Sequence, residues 1–241
     1  MTLGQRVRLI TVDLDDTLWP CAPVIHAAEA ALYAWLATNT PRLTEVHDPL
    51  SLREHRRTLM SARPEIAHDL TTIRLVALRT LMQAFGYPAT LADEAMALFR
   101  QQRNRVAPYP DVLPALARLR TRCRLVSVTN GNAEVRATPL RDVFHHSLTA
   151  AEAGAAKPDP ALFARAMHWA GATAEESLHV GDDPVRDVEA ARRAGLAAVW
   201  VNRAGQLWPD DLAPPDIEVA DLLALADWFE HDPATGGDHA V

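Results

Sequence analysis

Asp13-Leu14-Asp15-Asp16-Thr17-Leu18 places carboxylates two residues apart at the end of the apolar run Val7–Leu14. Side chains at i and i+2 of a strand point to the same side, so Asp13 and Asp15 can converge where the strand ends. Carboxylates crowded at one point repel one another, a bound cation relieves them, and hard oxygen donors of this sort suit Mg²⁺. A solvated acidic turn closing a strand is the ordinary alternative. A second segment, Val126-Ser127-Val128-Thr129-Asn130-Gly131-Asn132, ends a predicted strand in a small hydroxyl followed by Asn-Gly. A hydroxyl beside a turn with free N–H groups suits a phosphate oxygen, although Thr-Asn-Gly is also common turn chemistry. Lys157, held before Pro158, can neutralise a phosphate or a carboxylate, or be a solvated loop lysine. His179-Val180-Gly181-Asp182-Asp183-Pro184-Val185-Arg186-Asp187 ends a further strand in Gly-Asp-Asp. Here Asp182 points into the crevice that Asp13 faces. Asp183 can be a helix N-cap, with Pro184 at the first helical position and Asp187 about a turn further in.

Those residues need a scaffold, and the rest of the chain describes one. Its 241 residues are 49% hydrophobic and 23% charged, the composition of a globular protein with room for a large core or a core plus a smaller module. Of 24 basic side chains Lys157 is the only lysine. Drift toward arginine explains the general bias, and a position that kept lysine is a candidate for a site that needs a compact ammonium. The net charge of −7 comes with no basic cluster, so nucleic acid is not an expected partner. No apolar run is long enough to span a bilayer, no signal peptide precedes the first strand, and Cys21 and Cys123 read as free thiols. A cytoplasmic protein is expected.

Residues 24–39, 50–63, 64–85 and 91–105 carry helical apolar spacing, punctuated by Pro41, Pro49, Pro64 and Gly86-Tyr87-Pro88. No strand is evident between about 20 and 107. Beyond Pro110 the chain alternates: helix 111–121, strand 124–129, a short helix, strand 144–148, helix 160–170, strand 178–181, helix 184–194, strand 197–201 and a last helix 219–229. Such alternation predicts an α/β fold, a doubly wound parallel sheet with helices on both faces. The expected organisation is a core of residues 1–19 and 108–230, an inserted all-helical cap of residues 20–107, and a disordered tail over 231–241.

Taken in order along the chain, each at the end of a predicted strand, the four motifs resemble those of the haloacid dehalogenase-like superfamily. The resemblance covers nearly the whole chain, and the insertion between the first two motifs is similar to that superfamily's helical cap type. It implies that Asp13 is a nucleophile that forms an aspartyl-phosphate. Asp15 is then the general acid for the leaving alcohol and later the base for water. It also implies Mg²⁺ held by Asp13, Asp182 and the Asp15 backbone carbonyl. Thr129, Asn130 and Lys157 bind the phosphoryl oxygens. Asp187 orients Lys157 or a metal-bound water rather than binding the metal directly, and Asp183 could do either. Carbon–halogen-cleaving members lack an Asp at position 15, so hydrolysis of a small phosphate monoester is expected, ahead of mutase chemistry. The stretch Arg63–Leu70 continuing to Arg74, together with the motifs, is similar to the bacterial riboflavin-pathway phosphatases. Those act on 5-amino-6-(5-phospho-ribitylamino)uracil and flavin mononucleotide. Glu65, His68, Asp69 and Arg74 are the candidate specificity residues, with capping and surface polarity as their ordinary reading. Alternatives are a sugar-phosphate or nucleotide phosphatase of the same superfamily, or a non-catalytic phospho-receiver. The last is disfavoured by length, by the insert, and by two key carboxylates sharing one strand.

Overall fold

Leu9, Ile10, Thr11 and Val12 are buried on both faces, and a strand of that kind belongs in the middle of a covered parallel sheet. A computed structural model describes residues 2–231 and contains that sheet. Its strands are β1 (Leu9–Val12), β2 (Arg124–Thr129), β3 (His146–Thr149), β4 (Ser177–Gly181), β5 (Ala197–Val201) and β6 (Ile217–Val219). They lie in the order β3-β2-β1-β4-β5-β6, every pair parallel. Val12 sits opposite Ser127 on one side and Val180 on the other. The chain order reverses at β1, and the carboxyl ends of strands at such a point are where open α/β sheets bind ligands.

The chain divides into two compact units. One comprises the residues up to Pro20, Ala107–Asn130, and those from Pro139 on; the other comprises Cys21–Val106 and Gly131–Thr138. In the first, Leu9, Val126, Val128, Leu148, Phe163 and Trp200 belong to one buried cluster. Full burial of an aliphatic side chain there contributes about 1.5–3 kcal/mol. In the second, the helix Cys21–Asn39 buries Ala28, Leu32 and Leu36, one residue every fourth position. That stripe shares a core with Leu78, Leu81 and Met82 of the helix Leu70–Ala84 and with Phe99 of the helix Leu91–Arg103.

Several boundaries depart from the sequence expectation, each for a local reason. Gly131–Thr138, expected in the core, belongs to the helical unit. Asn132 Nδ2 donates to Thr71 Oγ1 at 3.2 Å, the Glu134 N–H to Asn104 Oδ1 at 2.9 Å, and Arg100 Nε to Glu134 Oε1 at 2.7 Å. The single helix expected over 64–85 is a 3₁₀ turn, Pro64–Ile66, followed by the helix Leu70–Ala84. Asp69 restarts the chain by accepting the N–H groups of Thr71 and Thr72 at 3.0 and 2.9 Å. Pro184–Ala194 is a π-helical turn over Pro184–Glu189 that passes into one α-turn, Ala190–Arg193. Val219 ends β6, and the last helix runs Leu222–His231. Apart from His231, the tail expected to be disordered lies outside the described residues. Among the described residues no helix is long and apolar enough to cross a membrane.

Candidate active site

Asp13 follows β1 directly, and its N–H donates to the Val180 carbonyl at 2.9 Å, which carries the strand pairing up to the first acidic residue. The chain then turns sharply. The Leu18 N–H bonds the Leu14 carbonyl, the Asp16 N–H bonds the Trp19 carbonyl (both 2.8 Å), and Asp16 takes φ +62°. Asp is among the few side chains that tolerate that left-handed conformation. Trp19, fully buried, donates its indole N–H to Asp15 Oδ1 at 2.9 Å and so holds the second carboxylate of the motif in place.

Lys157 reaches this point from the loop before the helix Ala161–Ala170. Its Nζ donates to Asp13 Oδ1 and Asp187 Oδ1, both at 2.6 Å, and to the Val128 carbonyl at 3.2 Å. An ammonium has three N–H donors, and all three are used. The lysine's own backbone is gripped by Asn130, whose Oδ1 accepts the Lys157 N–H at 2.7 Å and whose Nδ2 donates to the Lys157 carbonyl at 2.8 Å. The side-chain amide expected at a phosphate is therefore committed to the lysine loop. Thr129 closes β2 and is buried.

β4 delivers the remaining acids. Asp182 accepts the Thr17 hydroxyl at 2.8 Å on Oδ1, and its carbonyl accepts the Trp200 indole N–H at 2.8 Å. Asp183 caps the following turn by accepting the N–H groups of Val185 and Arg186 at 2.9 and 2.8 Å. Asp187 is occupied on both oxygens. Oδ1 meets Lys157 Nζ and His179 Nε2 (3.2 Å), and Oδ2 accepts the Asp183 N–H at 3.0 Å. Gly181 makes room for it, since a Cβ there would lie 2.3 Å from Asp187 Cγ. His179 is fully buried, and burial holds its imidazole below the usual range. Its Nε2 faces Asp187 Oδ1, and its Nδ1 lies 2.9 Å from the Thr11 hydroxyl and 3.1 Å from the Thr11 carbonyl.

The electrostatics of this cluster are unbalanced. Ligand oxygens of Asp13, Asp182 and Asp187 all lie within 4.8 Å of one another. Burial would raise Asp187, but Lys157 and His179 override it and hold that carboxyl below the usual range. Burial, partly offset by Lys157, leaves Asp13 well above the usual range, with the Asp187 charge adding to the rise. Asp182 is pushed up to about 7 by burial and then by Asp187. Burial opposes the charge on Lys157, yet the two carboxylates hold it as an ammonium. One lysine cannot balance three acids, and the two left high are Asp13 and Asp182. Hard oxygen donors with unspent charge fit a divalent cation such as Mg²⁺. Both Asp187 oxygens already have partners, whereas Asp13 and Asp182 each have one oxygen bonded here, so these two are the side chains of the cluster that could hold it.

The candidate specificity residues of the helical unit are placed as follows. Glu65 is exposed and pairs with Arg63, and His68 is half-buried in the turn before Leu70. Asp69 spends its carboxylate on the helix start, including the Thr72 hydroxyl at 2.7 Å. Arg74 is turned into the helical unit itself, bonded to Glu29 at 2.8 Å with its guanidinium 3.6 Å from the Phe99 ring centre. Burial and then Arg56 lower it to about 10. Asp69 and Arg74 thus hold their own unit together, which leaves Glu65 and His68 as the freer polar groups of that stretch. His179, Trp19 and Thr17 were given no role from sequence. A histidine inside an otherwise apolar strand was the available signal for the first; the partners of the other two depend on the folded turn.

Residues 7–195 match the haloacid dehalogenase-like hydrolases. The chain is 32% identical over 228 residues to the 5-amino-6-(5-phospho-D-ribitylamino)uracil phosphatase YigB of Escherichia coli (strain K12), covering 91% of this chain and 95% of that protein. It is 40% identical over 149 residues to a phosphoserine phosphatase of Thermus thermophilus, 59% of each chain. Among solved structures, a 2-haloacid dehalogenase from Pseudomonas syringae pv. Tomato DC3000 superposes with a TM-score of 0.87 at 39% identity, over 92% of this chain and 97% of that one.

Proposed function

The chain belongs to the haloacid dehalogenase-like hydrolases and is a phosphoric monoester hydrolase; on that premise we propose that it is Mg²⁺-dependent and works through an aspartyl-phosphate at Asp13. The observation that carries this reading is the Lys157 ammonium bonded at once to Asp13 and Asp187, with Asp182 in the same acidic cluster. Lys157 fixes the Asp13 carboxylate through Oδ1 and supplies positive charge where phosphoryl oxygens gather. Asp13 attacks phosphorus, the bond from phosphorus to the ester oxygen breaks, and Asp15 delivers its proton to that oxygen as the alcohol leaves. Asp15, now a carboxylate, takes a proton from water as the water oxygen attacks phosphorus. The bond to Asp13 then breaks and releases inorganic phosphate. Trp19 keeps Asp15 oriented through both steps, and Thr129 takes a phosphoryl oxygen. Asp187 and His179 hold Lys157 in place from behind. A divalent cation would be held by Asp13, Asp182 and the Asp15 carbonyl, and would supply positive charge to offset the two carboxylates and the phosphoryl oxygens.

For the substrate we propose a phosphorylated ribityl compound, 5-amino-6-(5-phospho-ribitylamino)uracil or flavin mononucleotide. Support comes from the relative in E. coli, matched over nearly its whole length. A sugar phosphate or nucleotide is the other reading within the same chemistry. A halide leaves without a proton, whereas an alkoxide requires one, and this chain has the carboxyl group of Asp15, oriented by the Trp19 indole N–H.

Turnover of para-nitrophenyl phosphate with Mg²⁺ checks the mechanism. Asp13→Asn is expected to abolish it, and an active Asp13→Asn enzyme would overturn the nucleophile assignment. Phosphate release from flavin mononucleotide, sugar phosphates and nucleotides, beside halide release from 2-chloropropionate, checks the substrate. A profile confined to sugar phosphates would sink the ribityl reading, and halide release without phosphate release would sink the monoester reading.

A further inference from the structure

Arg203 lies two residues beyond β5, with its side chain mostly buried. Its guanidinium is used as a two-sided fork. Nη1 and Nη2 donate to Asp111 Oδ1 and Oδ2, both at 2.9 Å. Nε and Nη2 donate to the Thr17 carbonyl at 3.1 and 2.9 Å. Its central carbon sits 4.0 Å from the centre of the Tyr109 ring. Asp111 is anchored in turn, because Oδ2 also accepts the Leu222 N–H at 2.9 Å, and the Tyr109 N–H bonds the Leu18 carbonyl at 2.9 Å. Three segments distant in sequence are thus fastened around one guanidinium, and the first of them is the turn that carries the acidic motif.

Thr17 is the link to the chemistry. Its carbonyl is held by Arg203 while its hydroxyl, fully buried, donates to Asp182 Oδ1 at 2.8 Å. The connection after β4 is also held by Trp200, whose indole N–H bonds the Asp182 carbonyl. The β5 end therefore grips Asp182 twice, its main chain through Trp200 and its carboxylate through Arg203 and Thr17. We propose that Arg203 is a positioning residue for the acidic cluster: clamped on Asp111, it fixes the Thr17 turn and thereby presets the Asp182 carboxylate for a divalent cation. The inference rests on the reading of Asp13 and Asp182 as the cation's ligands. A lysine cannot do this work, since one ammonium does not present the planar fork that engages a carboxylate on one side and a carbonyl on the other. A partner one bond behind a metal ligand, here Thr17, typically governs affinity by about 10- to 100-fold, and Arg203 acts on that partner from one bond further back.

The test is Mn²⁺ binding by the full chain without substrate, followed by calorimetry and by the loss of the free-ion paramagnetic resonance signal. Arg203→Met and Arg203→Lys are both expected to weaken Mn²⁺ by about tenfold or more, while KM for para-nitrophenyl phosphate at saturating Mn²⁺ stays at the wild-type value. Thr17→Val should weaken Mn²⁺ comparably, and the double variant Arg203→Met/Thr17→Val should bind no worse than the weaker single variant, because both act through one bond. Asp111→Asn, which loosens the anchor and keeps Arg203, carries the same expectation and serves if Arg203→Met does not fold. Wild-type affinity in Arg203→Met or Asp111→Asn, full rescue by lysine, or additive losses in the double variant would overturn the role of Arg203 and leave the acidic site standing. A wild-type protein that binds no Mn²⁺ would overturn the site itself and this inference with it.

Discussion

Lys157 shows how much one side chain can be asked to do. It is buried, and its three N–H groups go to Asp13, Asp187 and the Val128 carbonyl, a tetrahedral set that a compact ammonium can satisfy. A guanidinium carries the same charge in a plane, on a longer arm, and cannot reach all three acceptors from the loop that Asn130 pins. Lys157→Arg is therefore expected to lose about 100-fold in kcat, the order seen when a preorganised donor is removed from a reacting centre. Steady-state kinetics with para-nitrophenyl phosphate measures it, and an Arg variant within a few-fold of wild type would show that charge alone suffices. The lone lysine in a chain of arginines was visible in the sequence as an oddity, and the geometry supplies its reason.

The elements matter because the three motifs that carry Asp13, Thr129 and Asp182 sit at the carboxyl ends of parallel strands, while Lys157 comes in from a loop beyond the short helix that follows β3. β4 illustrates the tolerance. Gly181 is its last residue, and Asp187, folded back over it by the π-helical turn, fills the space that any side chain would take. Gly181→Ala should push Asp187 off Lys157 and lower kcat by about 10- to 100-fold, since a displacement near 1 Å at a reacting centre can cost that much. A melting curve taken alongside tells displacement from unfolding, and unchanged kcat would mean that Asp187 has room to yield. Strand ends were legible where apolar runs stop at polar residues, as in β2 and β4, whereas β1 ends at Val12, two residues before the expected Leu14. β6 was not, because Ile217-Glu218-Val219 is a three-residue edge that reads equally well as the start of the next helix. The split at Asp69 was missed for a related reason, since a capping aspartate inside a long helical pattern looks like one more polar position. The Arg203 clamp had no local signal at all: its partners Thr17 and Asp111 lie 186 and 92 residues away.

At the scale of the molecule, the buried acids of the site give its stability a pH dependence of definite sign. Asp182 titrates at about 7 when folded, against about 3.9 for an unperturbed Asp. Between those values the folded chain holds more protons than the unfolded one, so ionising Asp182 lowers stability as pH rises, by at most about 4 kcal/mol. Asp13 acts in the same direction. Asp187, held below the usual range, contributes stability above about pH 4 that is lost only in stronger acid, outside this window. His179 works the other way, because a buried neutral imidazole gains stability as pH rises toward its unfolded value of about 6.5. A plain pH–melting curve therefore mixes opposed contributions, and the informative quantity is the difference between melting temperatures with and without Mg²⁺ at each pH, in which the histidine contribution cancels. That difference should be small near pH 5 and grow as Asp182 ionises through about 7, with Asp13 adding to the rise. Asp182→Asn removes the penalty along with the ligand: the metal-free variant should melt above the metal-free wild type at pH 7.5, and Mg²⁺ should no longer raise it. Calorimetric melts in chelator and in saturating Mg²⁺ decide the matter. A wild-type Mg²⁺ shift that does not grow with pH would mean that the acids above β1 and β4 are not what the cation neutralises.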